Sequence, residues 1–286
     1  MVQHDTNGDS PRLLIIAAHP DDAEFHAGGL AAIYRYFGHE VKMISVTDGR
    51  AGHQTDFGPK LVERRRREAA AAAKVIGATS DVWDHPDGEL EPTLDVRWQI
   101  VAEMRNFAPH LILTHRTADY HPDHRAVAHA VRDAAYLVTV PGVVPNVPAL
   151  RTPPVIAYMV DRFTRPTPFQ ADIAIDVTAH LETIVSMLAC HASQVFQWLP
   201  YNRGHVEKLP KDEDGRRAWL RTWVEDRLEE TANLHRQALV TGYGETVGNQ
   251  VRFAEVLEIS QYAAPLDAVA REKLFAFLPA PTSQDR

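Results

Sequence analysis

Two short segments concentrate side chains that could bind a divalent cation or move a proton. They are His19-Pro20-Asp21-Asp22-Ala23-Glu24 and Asp119-Tyr120-His121-Pro122-Asp123-His124. Neighbouring carboxylates such as Asp21 and Asp22 repel each other, which costs stability unless positive charge sits between them. A divalent cation is the simplest remedy. Catalytic zinc takes three protein ligands and keeps a fourth position open. His19 and Asp22 are spaced so that one tight turn can aim both at a point, and His124 can supply the third ligand. Asp21 and His121 are then left beside the metal without being needed to hold it. Hydrolysis uses such groups, one as a base for the attacking water and one as a donor to the developing oxyanion. Two other readings fit the same residues less well. Non-haem iron takes two histidines and a carboxylate, but its paired ligands commonly stand two apart on a strand, not three apart in a proline turn. Helix capping would suit Asp22 and Asp123, but it gives no reason for two such clusters.

The positions of the clusters depend on the elements before them. Arg12 to Ala18 and His110 to His115 are short continuous apolar runs, as in strands buried on both faces. Each cluster follows one of these runs directly. Val41 to Thr47 is another strand candidate and Asp81 to Trp83 a short one. Gly28 to Phe37, Leu61 to Ile76, Leu94 to Phe107 and Asp123 to Val138 have helical spacing, with Gly77 as a C-terminal stop. The alternation predicts an α/β, Rossmann-like three-layer fold: a mostly parallel sheet with helices on both faces. In such sheets ligands bind beyond the carboxyl ends of the strands, so both clusters are expected on one edge. The C-terminal half reads as smaller and irregular. It has strands at Val155 to Val160 and Asp172 to Val177, long helices at Ala179 to Trp198 and Arg216 to Leu239, a Gly-rich loop at Gly242 to Gly248 and an edge strand at Val251 to Ile259. No linker is visible. The expectation is one domain over 1–286: a flexible 1–10, a core at 11–140, and 141–286 completing the pocket, with Pro141 to Arg165 and Gly242 to Gly248 as its walls.

With 286 residues, 45% of them hydrophobic, the chain can bury a sizeable core. The net charge of −8 argues against nucleic acid as a partner. The one basic run, Arg64 to Arg67, is flanked by Glu63 and Glu68 and reads as a helix turn. Cys190 is the single cysteine, so no internal disulfide forms, and its apolar neighbours suggest a packing role. No secretory signal or membrane-length apolar run is present, which makes the cytoplasm the expected location and excludes a membrane partner. The apolar proline-rich loop after Val140 is a plausible contact for a homo-oligomer.

Ala18-His-Pro-Asp-Asp-Ala-Glu24 with Gly28-Gly29, and His121-Pro-Asp-His124, resemble the LmbE-like, or PIG-L, family of zinc-dependent N-acetylglucosaminyl deacetylases. The resemblance covers most of the first 140 residues and returns in Arg252-Phe-Ala-Glu255. It implies a Rossmann-like fold and one Zn2+ per chain, with Fe2+ or Mn2+ as alternatives. It further implies His19, Asp22 and His124 as metal ligands, Asp21 as general base, and a protonated His121 stabilising the oxyanion. Asp123 would orient a neighbouring histidine. The substrate would be a small N-acetylated sugar or conjugate. Residues that could touch it are Arg50 and His53 in the loop after the second strand, Arg65 of an Arg-x-x-Glu pair with Glu68, Asp87 of a second His-Pro-Asp, and Tyr120. His26 and His129 read as core or supporting histidines. The scaffold also resembles some 4-oxalomesaconate hydratases, whose polyanionic substrates call for arginines; Arg50, Arg65, Arg116 and Arg125 are candidates.

Overall fold

In the computed structural model, which describes residues 10–279, Arg12–Ala17 forms strand β1. The expected flexible start lies outside the described residues apart from Ser10. Leu13, Ile15 and Ala17 join one apolar core, while Leu14, Ile16 and Ala18 join another. A strand buried on both faces has to be apolar throughout, which explains the run. Around it stand α1 (Asp22–Tyr36), β2 (Glu40–Thr47), α2 (Pro59–Ile76), β3 (Thr79–His85), α3 (Leu94–Phe107), β4 (Leu111–Thr114) and α4 (Pro122–Leu137). β5 (Val155–Met159) and β6 (Ile173–Asp176) follow. Next come α5 (Leu181–Cys190), α6 (Leu199–Asn202), α7 (Glu213–Leu234), α8 (Arg236–Tyr243) and α9 (Glu245–Gln250). The last elements are β7 (Ala254–Ile259) and α10 (Ala268–Leu274).

The seven strands form one sheet in the order β3-β2-β1-β4-β5-β7-β6. β1 to β5 run parallel, and β7 lies antiparallel between β5 and β6. Residues of α1, α2, α5 and α7 fill the core on one face; those of α3 and α4 fill the other. The strand order reverses direction at β1 and β4, and the crevice at their carboxyl ends is where such sheets bind ligands. Both candidate clusters follow these two strands. No helix among the described residues is long and apolar enough to cross a membrane.

The C-terminal half is more regular than its sequence suggested, because it supplies three strands to the same sheet. The expected edge strand after Val251 is interior, paired on both sides. The expected helix Ala179 to Trp198 is broken at His191 and resumes as a π-turn at Gln194–Trp198. The helix expected to run to Leu239 stops at Leu234 and restarts after His235. The Gly242 to Gly248 segment is the end of α8 and most of α9, not a loop. Gly248 lies so close to the Leu239 and Val240 backbone that a Cβ would meet it at 2.5 Å, so glycine there serves helix contact.

α1 begins at Asp22 rather than near Gly28, and it carries a break. Ala27 has φ −146° and ψ 19°, which frees the amides that follow. Gly29 N and Leu30 N donate to the two Glu255 carboxylate oxygens at 2.7 and 2.8 Å, so Glu255 caps the restarted helix from β7. A Cβ on Gly29 would stand 2.4 Å from Val177 Cγ1 and 2.9 Å from Glu255 Oε1. Gly29→Ala is therefore expected to destabilise the fold by about 1–3 kcal/mol through overpacking; a urea midpoint unchanged from the parent protein would refute this.

Candidate active site

The β1–α1 turn places its chemistry through an unusual backbone. Asp21 has φ 131° and ψ −25°, outside the regions a non-glycine residue normally adopts, a conformation that costs roughly 1–3 kcal/mol and persists only where surroundings enforce it. Here the enforcement comes from Arg65 of α2, whose guanidinium donates to Pro20 O at 2.6 Å and Asp21 Oδ1 at 3.2 Å. Arg65 reaches the turn across Gly49, where a Cβ would meet its guanidinium at 2.5 Å. Asp22 folds back, its Oδ2 accepting from His19 N at 2.8 Å.

That same Asp22 Oδ2 lies 3.3 Å from His19 Nδ1 and 3.5 Å from His124 Nε2, so the three expected ligands converge across the two loops. The opposite nitrogen of each histidine meets an acid. His19 Nε2 is 3.1 Å from Asp87 Oδ1 and 3.3 Å from Asp123 Oδ2; His124 Nδ1 is 3.1 Å from Asp119 Oδ1. Asp123 is fully buried and is fixed by Gly88 N at 2.7 Å and Leu90 N at 3.2 Å. The histidine that Asp123 orients is thus His19 of the other cluster.

Several His/Asp groups bring ligand atoms within 4.8 Å of one another: His19 with His121 and His124; His19 with Asp87, His121 and Asp123; Asp22 with His115 and His124. Lone-pair use separates them. His115 Nε2 already accepts from Ala18 N at 3.1 Å. His121 Nδ1 accepts from Asp123 N at 3.2 Å. Asp87 and Asp123 are engaged by backbone amides as well as by His19. His19 Nδ1 and His124 Nε2 remain, both facing the Asp22 carboxylate, whose Oδ2 also accepts from His19 N; two imidazole nitrogens and a carboxylate make a borderline donor set that fits a divalent transition metal.

The electrostatics agree with a site short of positive charge. Burial pushes the Asp21 carboxyl up to about 6; Arg65 opposes this and Asp22 reinforces it. For Asp22, burial works upward too, but His124, His115 and His19 hold the carboxyl well below its usual range. His19 is buried, which disfavours its charged form, yet its contacts with Asp123, Asp22 and Asp87 raise it well above an ordinary histidine. His115 is driven down to about 4, by burial first and then by His124; it stacks on His124 with centroids 3.9 Å apart.

For His121, burial first and then His19 and His124 lower the pKa, with Asp123 and Asp87 opposing, which works against the protonated form expected of it. Because Nδ1 accepts a backbone amide, the neutral ring carries its proton on Nε2 and remains a hydrogen-bond donor without being charged.

The residues expected to touch substrate are placed unevenly. Asp87 is buried against His19, and Arg65 is buried against the Asp21 turn. His53 is buried too: its Nε2 is 2.9 Å from Gln197 Oε1 and its Nδ1 accepts from Asp56 N at 3.0 Å. Arg50 is half-exposed and folds onto Asp48. Tyr120 is exposed, with its ring edge-on to His121 and His124 at 5.7 and 5.6 Å. Glu68, its expected partner role aside, accepts from Ser193 N at 2.9 Å and Ser193 Oγ at 2.5 Å.

Of the two expected pocket walls, one is drawn into helices and the other borders the site in its last part. Gly242 to Gly248 packs on α8. Val140 to Leu150, the first part of the Pro141 to Arg165 stretch, is held by Arg105 at the end of α3, on the amino edge of the sheet. Only the part after β5 borders the site, where Asp161 pairs with Arg116 at 3.2 Å and Phe163 faces Tyr120 at 6.2 Å.

The motifs alone assign no role to Asp119, to His115 or to the segment after α5. His191 is fully buried with Nε2 3.2 Å from Glu24 Oε1. Gln194 Nε2 donates to Gly52 O at 3.0 Å, and Gln197 serves both His53 and Arg64. This segment clamps the loops from beneath. The one signal for it was a polar set, His191, Ser193, Gln194 and Gln197, inside an otherwise apolar helix.

An α/β sheet with a His/Asp centre at its switch point defines a class of metal-site enzymes, and the similarities narrow it. Residues 14–135 match the PIG-L profile, described as GlcNAc-PI de-N-acetylase. The chain is 25% identical over 214 residues to a 4-oxalmesaconate hydratase of Pseudomonas putida, covering 72% of this chain and 83% of that protein. It is 33% identical over 124 residues to a diacetylchitobiose deacetylase of Thermococcus kodakarensis, covering 41% of this chain and 46% of that protein. The fold resembles the crystal structure of a 4-carboxy-2-hydroxymuconate hydratase from Pseudomonas putida, with TM-score 0.68 and 20% identity, over 90% of this chain and 99% of that one.

Proposed function

We propose that the chain is a metal-dependent hydrolase that removes an acetyl group from an N-acetylated amino sugar or a related small molecule. The observation that carries this reading is the pairing of each candidate ligand histidine with an acid on its far nitrogen, His19 with Asp123 and Asp87, and His124 with Asp119. A hydrogen bond of the kind between His19 Nε2 and Asp123 Oδ2 fixes the ring and raises its basicity toward a metal. His19, Asp22 and His124 would hold Zn2+, or Fe2+ or Mn2+ in its place. When bound, the ion polarises the acetamide carbonyl and acidifies water.

The chain's own groups do the rest. Arg65 engages Asp21 Oδ1, which leaves Oδ2 to take a proton from the attacking water. His121 Nε2–H donates to the oxygen on which negative charge develops. Asp21 then returns the proton to the leaving amine. Asp119→Asn is expected to weaken metal affinity about 10–100-fold, measured by competition with a chromogenic chelator; unchanged affinity would remove Asp119 from this role.

A second reading, hydration of an unsaturated polycarboxylate, is favoured by the extent of similarity to the Pseudomonas putida hydratase. Against it, all four candidate arginines have partners inside the protein: Arg50 on Asp48, Arg65 on Asp21, Arg116 on Asp161 and Glu258, Arg125 on the Asp119 and Tyr120 carbonyls. The two readings separate in one assay. Zinc-loaded protein is incubated with N-acetylated amino sugars and, separately, with unsaturated dicarboxylic and tricarboxylic acids. Release of primary amine supports deacetylation; loss of the conjugated absorbance without amine release replaces it with hydration.

A further inference from the structure

His115 is a buried side chain that the chemistry described above does not use. It follows β4 directly and is 3% exposed. Its contacts reach both candidate clusters. Nε2 accepts from Ala18 N at 3.1 Å, in the residue just before His19, and stands 3.3 Å from Asp22 Oδ2. The ring lies flat on that of His124, with centroids 3.9 Å apart and planes 11° from parallel. His26 meets it edge-on at 6.0 Å, and Arg227 of α7 holds His26 at Nδ1, 3.0 Å away.

Each contact bears on a different ligand. The Ala18 amide marks the point where β1 gives way to the turn that carries His19 and Asp22. An acceptor there fixes where the turn begins, and a buried amide left unpaired is costly. For His124, Asp119 Oδ1 faces Nδ1 at 3.1 Å, a contact at one edge that leaves the ring free to tilt about it. A flat neighbour at stacking distance removes that tilt. A side chain that only filled space would need no nitrogen, yet the buried Nε2 stands on a backbone amide. His115 also lies within ligand distance of Asp22 and His124, but Ala18 N takes its Nε2 lone pair, which leaves it a support.

We propose that His115 is a positioning residue for the metal centre. It sets the plane of the His124 ring by stacking and the start of the His19 turn through the Ala18 amide. The inference rests on the metal-site part of the functional reading and not on the choice between deacetylation and hydration.

The test uses the full chain, with Zn2+ and Co2+ as probes. Affinities are measured by competition with a chromogenic chelator, and the visible Co2+ spectrum is recorded. The parent protein is compared with His115→Ala, His115→Phe, His115→Gln and Asp22→Ala. Phenylalanine keeps a flat ring on His124 and loses the acceptor; glutamine offers Ala18 N an acceptor and loses the ring. His115→Ala is expected to weaken affinity about 10–100-fold, the range for groups that support ligands, and to shift the Co2+ bands. His115→Phe and His115→Gln each recover part of that loss. Melting curves of the metal-free variants report the fold separately. If His115→Ala does not fold, the other two carry the test, each binding more weakly than the parent. Equal affinity and an unchanged Co2+ spectrum across the His115 variants, whatever their Tm, overturn the proposal and leave His115 a structural residue. A loss as complete as in Asp22→Ala, with no recovery in His115→Phe or His115→Gln, overturns it by making His115 a ligand. If the parent binds no metal, or Asp22→Ala binds as tightly as the parent, the metal-site reading fails and this inference with it.

Discussion

Asp21→Asn is expected to lower kcat by between about 10^2 and 10^4, the range that positioned proton transfer contributes, while the protein stays folded and keeps its metal. Asparagine is the right replacement for physical reasons. The position holds φ 131°, and asparagine is among the residues that tolerate positive φ best. Its amide oxygen can still accept from Arg65, so the turn that carries Asp22 keeps its anchor. What it cannot do is take a proton from water. The measurement is kcat and KM on the best substrate of the panel, with metal content determined on the same samples. A fall in kcat at full metal occupancy places Asp21 in the chemistry. A rise in KM at unchanged kcat would show that it only positions substrate and would sink the general-base role. Loss of metal along with activity would instead point to Asp21 as a ligand.

The geometry explains why the centre was partly legible in the sequence. His19, Asp22, His121 and His124 sit in two contiguous clusters, each directly after an apolar run that can only be a doubly buried strand. Strand ends, parallel order and crossover handedness then bring the clusters to one edge without further information. Helix limits such as Leu94 to Phe107 were readable because the cap at Thr93 and the turn at Ala108 are local.

What escaped is set by distance in the chain. Asp87 reads as a substrate contact until His19, sixty-eight positions earlier, is placed beside it. His115 looks like the last residue of a strand, and only the fold shows it supporting the Ala18 amide and stacking on His124. The break at His191 has no local cause such as proline. It follows from burying a histidine against Glu24 and from the Glu68–Ser193 contact, both made with elements more than a hundred residues away. The lowering of the His121 pKa comes first from burial and then from His19 and His124, and neither the burial nor the approach of His19 is visible in the motif itself.

Arg105 is the largest structural effect that the sequence did not announce. It reads as one more charge in the last turn of α3, yet it is 5% exposed and donates to six backbone carbonyls: Leu137, Val138, Val140, Val143, Val144 and Val147. Those carbonyls belong to the end of α4 and to the proline-rich loop; those of Leu137, Val138, Val140 and Val144 also accept a backbone amide, while those of Val143 and Val147 have Arg105 as their donor. Each hydrogen bond to a charged donor contributes about 1.5–3 kcal/mol, and buried groups left unpaired cost further. Relaxation and water entry recover much of the sum, so Arg105→Ala is expected to destabilise by about 4 kcal/mol, in the range for breaking a buried charged network. At this chain length that corresponds to a fall in Tm of roughly 8–16 °C. Arg105→Lys keeps the charge but not the planar fork, and it should restore only part of the loss. Because α3 ends at the amino edge of the sheet, opposite the metal site, kcat measured well below the new Tm should stay near that of the parent protein. Urea unfolding and calorimetry check the first expectation and steady-state kinetics the second. A cost below about 1 kcal/mol would mean that water replaces the guanidinium and that the loop folds without it, whereas full stability loss accompanied by an equal loss of kcat would mean that the loop reaches the site after all.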